Sequence, residues 1–538
     1  MENELEKRQE KFSSILKNKK VYFYLFLAIM ILALIIRLYY FWHYKAQPLW
    51  WDEAQYLWRA RDMARGNWFV SGWNWDSLLF EGVVSPHKPF LIIFVGAFFY
   101  LFGLNGEIAT KFFMVLISLA GIAFTYLVGK EMYNKKVGLI AFALMSTFYL
   151  YNFYSYRIET NVLGAALWTI TVFLFWKGYI KKPDRKYMLL AGVFMMLSVM
   201  GRTPMAMMII PILLTLLLKE RLMFLKNKNF WFFALGNMIV LVPYMIWSQL
   251  TYGLPLALAT EWGFASGLGN VGANVNIFYT YIQFFFTTYL NSPLKILLIL
   301  LIAGLIIYIF NIAIGFDIMI KKRDKKLIKT LFMLTWFIFP IIAFGFWLDQ
   351  FEPRLIMVVF PAAFIIIGNT LMKGYNYFKK YSKAISITIL LIIVISSMGV
   401  QLKQGDELIK SKGNSYLEVK EAGLWINQNS NPDDVVFSNS RPQTMFYADR
   451  ENIGFHKKAV RYNSSLEGDD RYLSEKEFEE MAIEKKAKYL VISVFEPYPT
   501  WAYNYAKENP TKVTPVMGYF TDEAKTQPTL VIYGLTFT

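Results

Sequence analysis

Carboxylates and cations placed near the ends of apolar runs are the residues of this chain best suited to chemistry. Asp52 and Glu53 follow a tryptophan pair in WWDEAQYLWRARDMARG, and Glu159 lies two residues beyond Arg157 in YSYRIET. Further charges are His87 and Lys88 in SPHKPF, Arg202 in GRTP, Glu261 in TEWGF, and Asp349, Glu352 and Arg354 in LDQFEPR. A carboxylate can deprotonate an incoming hydroxyl or support positive charge growing at an anomeric carbon. Arginine holds a phosphate through its planar fork, lysine as a point charge, and a phosphate leaving group departs readily when cations meet its charge. Such a set suits group transfer from a phosphate-linked donor.

What must position these residues is a membrane. Apolar residues make up 56% of the 538 and charged residues only 18%, and the apolar ones come in runs of about 15 to 20, near the length that crosses hydrocarbon as helix. Spanning helices are expected near 21–41, 112–129, 138–154, 161–176, 187–201, 204–218, 231–250, 295–316, 330–348, 355–372 and 384–400. The run at 90–100 is short for a span and reads as a tilted, re-entrant or interfacial helix. Residues 275–292 suit an aromatic helix on the outer surface, with Tyr279, Tyr281 and Tyr289 at headgroup depth.

The net charge is +17, but it is uneven: residues 401–538 carry −3 and the first 400 carry +20. The basic excess crowds alternate short loops, which makes those loops and the N-terminus cytoplasmic by the positive-inside rule. No nucleic-acid module is evident. Segments 42–109 and 251–294, with the chain after 400, then fall outside the cytoplasm, together with the charges named above. Intramembrane and near-membrane charges are functional candidates by default. The absence of cysteine rules out disulfides and thiolate metal sites, and three scattered histidines make a histidine-rich site a poor expectation. A carboxylate-bound divalent ion, Mg or Mn, on Asp52 and Glu159 stays open. Asp52 also suits the N-cap of an amphipathic helix in which Tyr56, Arg59 and Met63 follow at helical spacing.

These motifs resemble the membrane glycosyltransferases with the GT-C fold, in the branch containing protein O-mannosyltransferases and the lipid A aminoarabinose transferase, whose similar relatives are common in archaea. The resemblance rests on WWDEAQYLWRARDMARG, SPHKPFL, the long run from LFGLNGEIATKF to LIAFALMS, SYRIETN, GRTP and EPRLIMVVFPA, and covers most of residues 20–400. Leu355 stands where the family usually has an aromatic residue and Phe90 where many relatives have a second proline. Trp501 in TWAYNY does not restore the WWD-type signature of oligosaccharyltransferases.

The chain after residue 400 alternates Gly, Pro, Asn and Asp turns with strand-like patches Val435–Phe437, Tyr489–Phe495 and Thr529–Leu535 and helical patches Tyr416–Asn427 and Glu475–Lys486, and reads as a C-terminal extracytoplasmic α/β domain. The resemblance implies a polytopic α-helical membrane protein of the GT-C fold with about 11 to 13 transmembrane helices. Its parts would be a cytoplasmic segment 1–20, a catalytic membrane domain 21–400 and an outer domain 401–538, in the plasma membrane. It implies transfer of a sugar, with mannose one candidate, from a dolichyl- or polyprenyl-phosphate carrier to a protein, glycan or glycolipid on the outer face. Asp52 takes the position of the family's base, with Glu53 and Glu159 at supporting acidic positions. Lys88 first, then Arg157, Arg202 and Arg354, with His87, Glu261 and Glu352, are expected at the carrier phosphate and substrate. A transporter or lipid flippase is the alternative from another class.

Overall fold

The computed structural model describes residues 19–66, 88–258, 275–289, 294–347, 351–457, 468–522, 524 and 526–537. Asp349 therefore lies outside the described residues. The helices of the apolar region are α1 (Lys19–Tyr44), α2 (Trp51–Ala64), α3 (Pro89–Phe102), α4 (Gly106–Met132), α5 (Lys135–Thr147), α6 (Tyr149–Tyr154), α7 (Thr160–Phe175), α8 (Arg185–Gly201) and α9 (Ile209–Glu220). They continue with α10 (Lys228–Tyr252), α11 (Val275–Tyr289), α12 (Lys295–Lys322), α13 (Lys325–Trp347), α14 (Phe360–Phe378) and α15 (Lys383–Ser411).

Each expected span is met by helix. Among the described residues eight helices are long and apolar enough to cross a membrane. Three of the expected spans fall outside those eight. The one at 138–154 is two helices, because Phe148 (φ −58°, ψ 120°) leaves the helical region between α5 and α6. The one at 204–218 opens as a 3-10 turn, Thr203–Met208, in front of α9. That at 187–201 is the 17-residue α8. Helix α3, at 14 residues, is about 21 Å long, shorter than the hydrocarbon core.

The basic loops carry their own stop and start signals. Asn134 accepts the N–H groups of Lys136 and Val137 at 3.0 and 3.1 Å to begin α5. Asp184 does the same for Lys186, at 2.8 Å, at the head of α8, and Asp324 for Lys326 and Leu327, both at 2.8 Å, at the head of α13. The lone carboxylate in each of the latter two cationic loops is thus an N-cap for donors no helix can satisfy itself.

The chain forms two compact units. One comprises Met1–Lys45, Lys111–Tyr244 and Leu268–Lys410; the other comprises Ala46–Thr110, Met245–Gly267 and Ser411–Thr538. In the first, the helical stretches Thr160–Lys181 and Pro353–Phe378 are central: 94% and 89% of their most apolar windows are buried by protein, against 11% for Lys20–Tyr44 and 22% for Lys383–Ser411. The outer helices show their apolar surface to lipid. The inner pair shows it to neighbours. Arg37, fully buried two turns before the end of α1, donates Nε to Ser118 Oγ at 2.9 Å and Nη1 to the Ser146 carbonyl at 3.1 Å. Ser146 lies in the last turn of α5, where carbonyls lack helical partners, so Arg37 caps the end made by the break at Phe148.

In the second unit the C-terminal segment builds a five-stranded sheet of β1 (Val435–Ser438), β2 (Asn452–Ile453), β3 (Ala487–Ser493), β4 (Val513–Phe520) and β5 (Pro528–Leu535), in the order β2-β1-β3-β5-β4. The first three strands are parallel and the last two antiparallel. Val435 and Phe437 face a core that includes Phe478 of α18 (Glu475–Glu484) and Tyr505 of α19 (Thr500–Glu508). Val436, between them in sequence, faces the opposite core with Val419, Ala422 and Ile426 of α16 (Leu417–Asn429), the two-residue period of a strand covered on both sides. Helix α17 (Arg441–Ala448) links β1 to β2.

Helices α8 and α10 meet at glycines. A Cβ on Gly192 would lie 2.1 Å from the Phe233 carbonyl oxygen, and one on Gly236 2.1 Å from that of Leu189. Gly192→Val is expected to separate the two helices and to cost about 1–3 kcal/mol, seen as a lower thermal-unfolding midpoint of the detergent-solubilised protein.

Candidate active site

The expected residues divide between the two units. In the second unit the carboxylate pair opens α2, and the two residues have different tasks. Glu53, fully buried, accepts the Trp50 N–H on Oε2 at 3.0 Å. It is therefore Glu53, at the third helical position, that closes the helix start. This corrects the expectation that Asp52 caps α2. The reciprocal half of a capping box is missing because an indole has no acceptor. Asp52 keeps partial exposure in the first turn.

Tyr56 lies one turn beyond Asp52 on the same face of α2. The Lys88 ammonium sits 5.1 Å from the centre of its ring, within cation–π range. Lys88 precedes α3 in a left-handed conformation (φ 55°, ψ 44°), uncommon for a residue with a Cβ. Helices α2 and α3 approach closely enough that a Cβ on Gly96 would stand 3.2 Å from the Ala60 carbonyl oxygen. The acidic helix and the lysine of SPHKPF are thus brought together. His87, its neighbour, lies outside the described residues, as does Glu261.

In the first unit Arg157, Glu159, Arg202, Glu352 and Arg354 gather at the N-terminal ends of the two central helical stretches. Glu159 immediately precedes α7 and is fully buried; its Oε1 accepts Arg354 Nη1 at 2.9 Å. Arg354 Nε also donates to Glu352 Oε2 at 2.7 Å. The Asn161 amide reaches Glu159 Oε2 at 3.4 Å, and Arg202 Nη1 donates to Thr160 Oγ1 at 3.2 Å. Arg202 packs on Gly164, where an added Cβ would lie 3.3 Å from the arginine's own Cβ. Tyr154 is in the electrostatic range of Glu159, Arg354, Arg157 and Glu352 together. Three guanidinium groups thus share one region with two carboxylates, and the convergence of two helix N-termini adds positive potential. The balance favours an anion.

Two tyrosines of this cluster, Tyr154 and Tyr281, were not among the site residues expected from the sequence. Tyr154 had a signal, since it lies inside the same YSYRIET segment. Tyr281 was expected at headgroup depth with Tyr279 and Tyr289. Tyr281 is instead fully buried, with its hydroxyl 3.4 Å from the Glu352 carbonyl oxygen and its ring 4.8 Å from that of Phe351; Tyr279 is exposed, and the Tyr289 side chain is outside the described residues. Tyr281 and the Trp336 indole, which donates to the Val358 carbonyl at 2.9 Å, hold the 3-10 turn Pro353–Val359 that carries Arg354.

Among the described residues no three of His, Asp and Glu converge in a way that could hold a metal ion. Glu159, one of the two ligands suggested by sequence, has a guanidinium on one oxygen and faces an amide N–H on the other, a poor donor set for a cation.

Arg354→Ala takes a paired cation away from the buried Glu159 carboxylate and is expected to cost about 3 kcal/mol or more. Glu159→Gln combined with Arg354→Gln removes both charges and is expected to cost less than the single arginine change, in the same thermal-unfolding measurement.

The family model described as dolichyl-phosphate-mannose-protein mannosyltransferase matches residues 86–247, a stretch that holds Lys88, Arg157, Glu159 and Arg202. No curated protein matches the sequence. Among solved structures, apo ArnT from Cupriavidus metallidurans superposes with a TM-score of 0.62 at 13% identity, over 94% of this chain and 97% of that one. ArnT bound to undecaprenyl phosphate gives 0.61 at 12% identity, over 96% and 98%. The oligosaccharyltransferase AglB from Archaeoglobus fulgidus, in complex with an inhibitory peptide and a dolichol-phosphate, gives 0.58 at 12% identity, over 95% of this chain and 74% of that one. Helices, buried charges and superpositions together show that the chain has the GT-C fold of membrane glycosyltransferases.

Proposed function

We propose that this protein is a glycosyltransferase that moves a sugar from a dolichyl- or polyprenyl-monophosphate carrier to a protein, glycan or glycolipid on the outer face of the membrane. The observation that carries this reading is the cluster of Arg157, Arg202 and Arg354 with Glu159 and Glu352 at the head of the two most buried membrane helices. A cationic site at the end of apolar helices suits a ligand that is a phosphate at one end and a prenyl chain at the other. The lipid phosphates bound in the ArnT and AglB structures support it by analogy of fold, and the matched family description favours mannose as the first sugar to test.

In the proposed reaction the acceptor hydroxyl gives its proton to Asp52 as its oxygen attacks the anomeric carbon. The bond from that carbon to the phosphate oxygen breaks on the opposite face, so the configuration inverts. The carrier phosphate leaves with its negative charge met by Lys88 and the arginines. Glu53 contributes by fixing the start of α2, and Glu159 by orienting Arg354. Both are therefore positioning residues in this scheme, and Asp52 is the carboxylate placed to meet substrate.

Purified protein in defined liposomes, given carrier-linked mannose and an acceptor, is expected to form a covalent product. Movement of the lipid without a product would favour the flippase alternative. Asp52→Asn is expected to lower turnover by roughly a hundredfold or more while donor binding stays near wild type; full transfer by a folded Asp52→Asn protein would overturn the base assignment. Arg354→Lys keeps the charge but loses the fork, and is expected to raise KM for the carrier-linked sugar.

A further inference from the structure

Within the second unit, the C-terminal domain grips the acidic helix. Helix α17 packs against α2, and polar ties flank that packing. Before the helix, the Leu49 N–H donates to the Tyr447 hydroxyl at 2.9 Å, the Lys420 ammonium donates to the Ala46 carbonyl at 2.6 Å, and the Gln47 amide donates to the Lys412 carbonyl. At the far end Asp449, the residue following α17, takes two arginines at once. Its Oδ1 meets Arg61 Nη2 at 2.9 Å, and its two oxygens meet Arg65 Nη1 and Nη2 at 2.8 and 2.6 Å, a bidentate fork. The Arg61 guanidinium also lies 4.6 Å from the centre of the Phe446 ring.

The location of this clamp on α2 gives it meaning. Arg61 is nine residues from Asp52, which at about 100° per residue is two and a half turns, so the two side chains project from opposite sides of the helix. Tyr56, beneath Lys88, lies near the Asp52 side. The helix is thus held from behind while its acidic face is presented in front. A 14-residue helix is marginal when alone, so something outside it must set its rotation and axial position. Exposed ion pairs contribute little to stability. A bidentate pair made by a carboxylate at φ 53° instead specifies direction, because only one approach satisfies the fork. Burial by itself would raise the Asp449 carboxyl, but the hydrogen bond from Arg65 and the charges of Arg61 and Arg65 more than offset it and hold it below its ordinary range. The clamp therefore persists at neutral pH and is lost only as pH falls through that lowered value.

We infer that Asp449 is a positioning residue, which through Arg61 and Arg65 fixes the rotation and axial placement of α2 and hence the placement of the Asp52 carboxylate. The inference rests on the assignment of Asp52 as base. It makes the C-terminal domain part of the catalytic apparatus.

The test uses the full-length protein in liposomes with carrier-linked mannose. Asp449→Asn is expected to lower kcat roughly tenfold or more with KM for the donor within about twofold, and Asp449→Glu to recover part of the loss. Arg61→Gln with Arg65→Gln should give the same loss, and adding Asp449→Asn to that pair should give no further loss, since all three act through one contact. Wild-type kcat in a folded Asp449→Asn protein, or losses that multiply, would overturn the inference. Hydrogen exchange supplies a readout independent of activity: amides of residues 51–64 should exchange faster in Asp449→Asn while those of β3 stay unchanged. Unchanged exchange over 51–64 overturns the clamp whatever the fate of the base, whereas full transfer by Asp52→Asn with faster exchange overturns the base assignment and leaves the clamp standing.

Discussion

A fully buried carboxylate at the head of membrane helices survives only with a cation held against it. Glu159 and Arg354 meet that condition at 2.9 Å, and much else in the first unit follows from the need to keep them there. Glu159 must stop short of α7, so it stands just outside the helix. Arg354 must reach it from a turn almost 200 residues later, so that turn is pinned by Tyr281 on one side and Trp336 on another. Glu352 takes the guanidinium's Nε. In a medium of low dielectric constant each missing partner would be costly, so the cluster is both a device for attracting an anion and a condition for packing the central helices.

The acidic helix is governed by a different constraint. It is short and amphipathic, burying Ala54, Leu57, Ala60 and Met63 along one side. Its start is fixed by Glu53 and its side by the close approach of Gly96 to Ala60. The remaining freedom is rotation about its own axis, which is removed by contacts from a segment some 400 residues downstream. Membrane helices supply bulk rigidity, and a water-facing α/β domain supplies fine alignment.

Much of this was legible in the residues themselves. Runs of apolar residues located the spanning helices, since hydrocarbon demands length and little else. The acidic residues that begin α8 and α13 were hidden by the cations around them. The charged motifs were found by type and isolation, and the five that gather in the first unit were all among those named. The partners were not legible. Nothing near Asp52 says that Glu53 rather than Asp52 caps α2, because both occupy the first turn and only geometry chooses. Tyr281 has the composition of an interfacial tyrosine, and its burial depends on where α11 docks. In the C-terminal domain the strands at 435–437, 489–495 and 529–535 announced themselves by β-branched and aromatic residues, whereas β4 was disguised by Pro515 and Gly518, tolerable because it lies at a sheet edge. Asp449 had no local signal at all: its two arginines are distant in sequence and join it only in the fold.

Arg37 has a bearing on how the protein is made. It stands two turns before the end of the first apolar helix, and two of the groups that bond it, Ser118 and Ser146, are synthesised 81 and 109 residues later. A ribosome feeding this chain into a bilayer delivers an arginine to hydrocarbon well before its partners exist. During that interval the side chain has to remain hydrated, or the helix has to wait beside the insertion machinery, until α4 and α5 arrive. The break at Phe148 thus ties the first segment inserted to one of the later ones, and makes the membrane bundle an object assembled in retrospect rather than helix by helix.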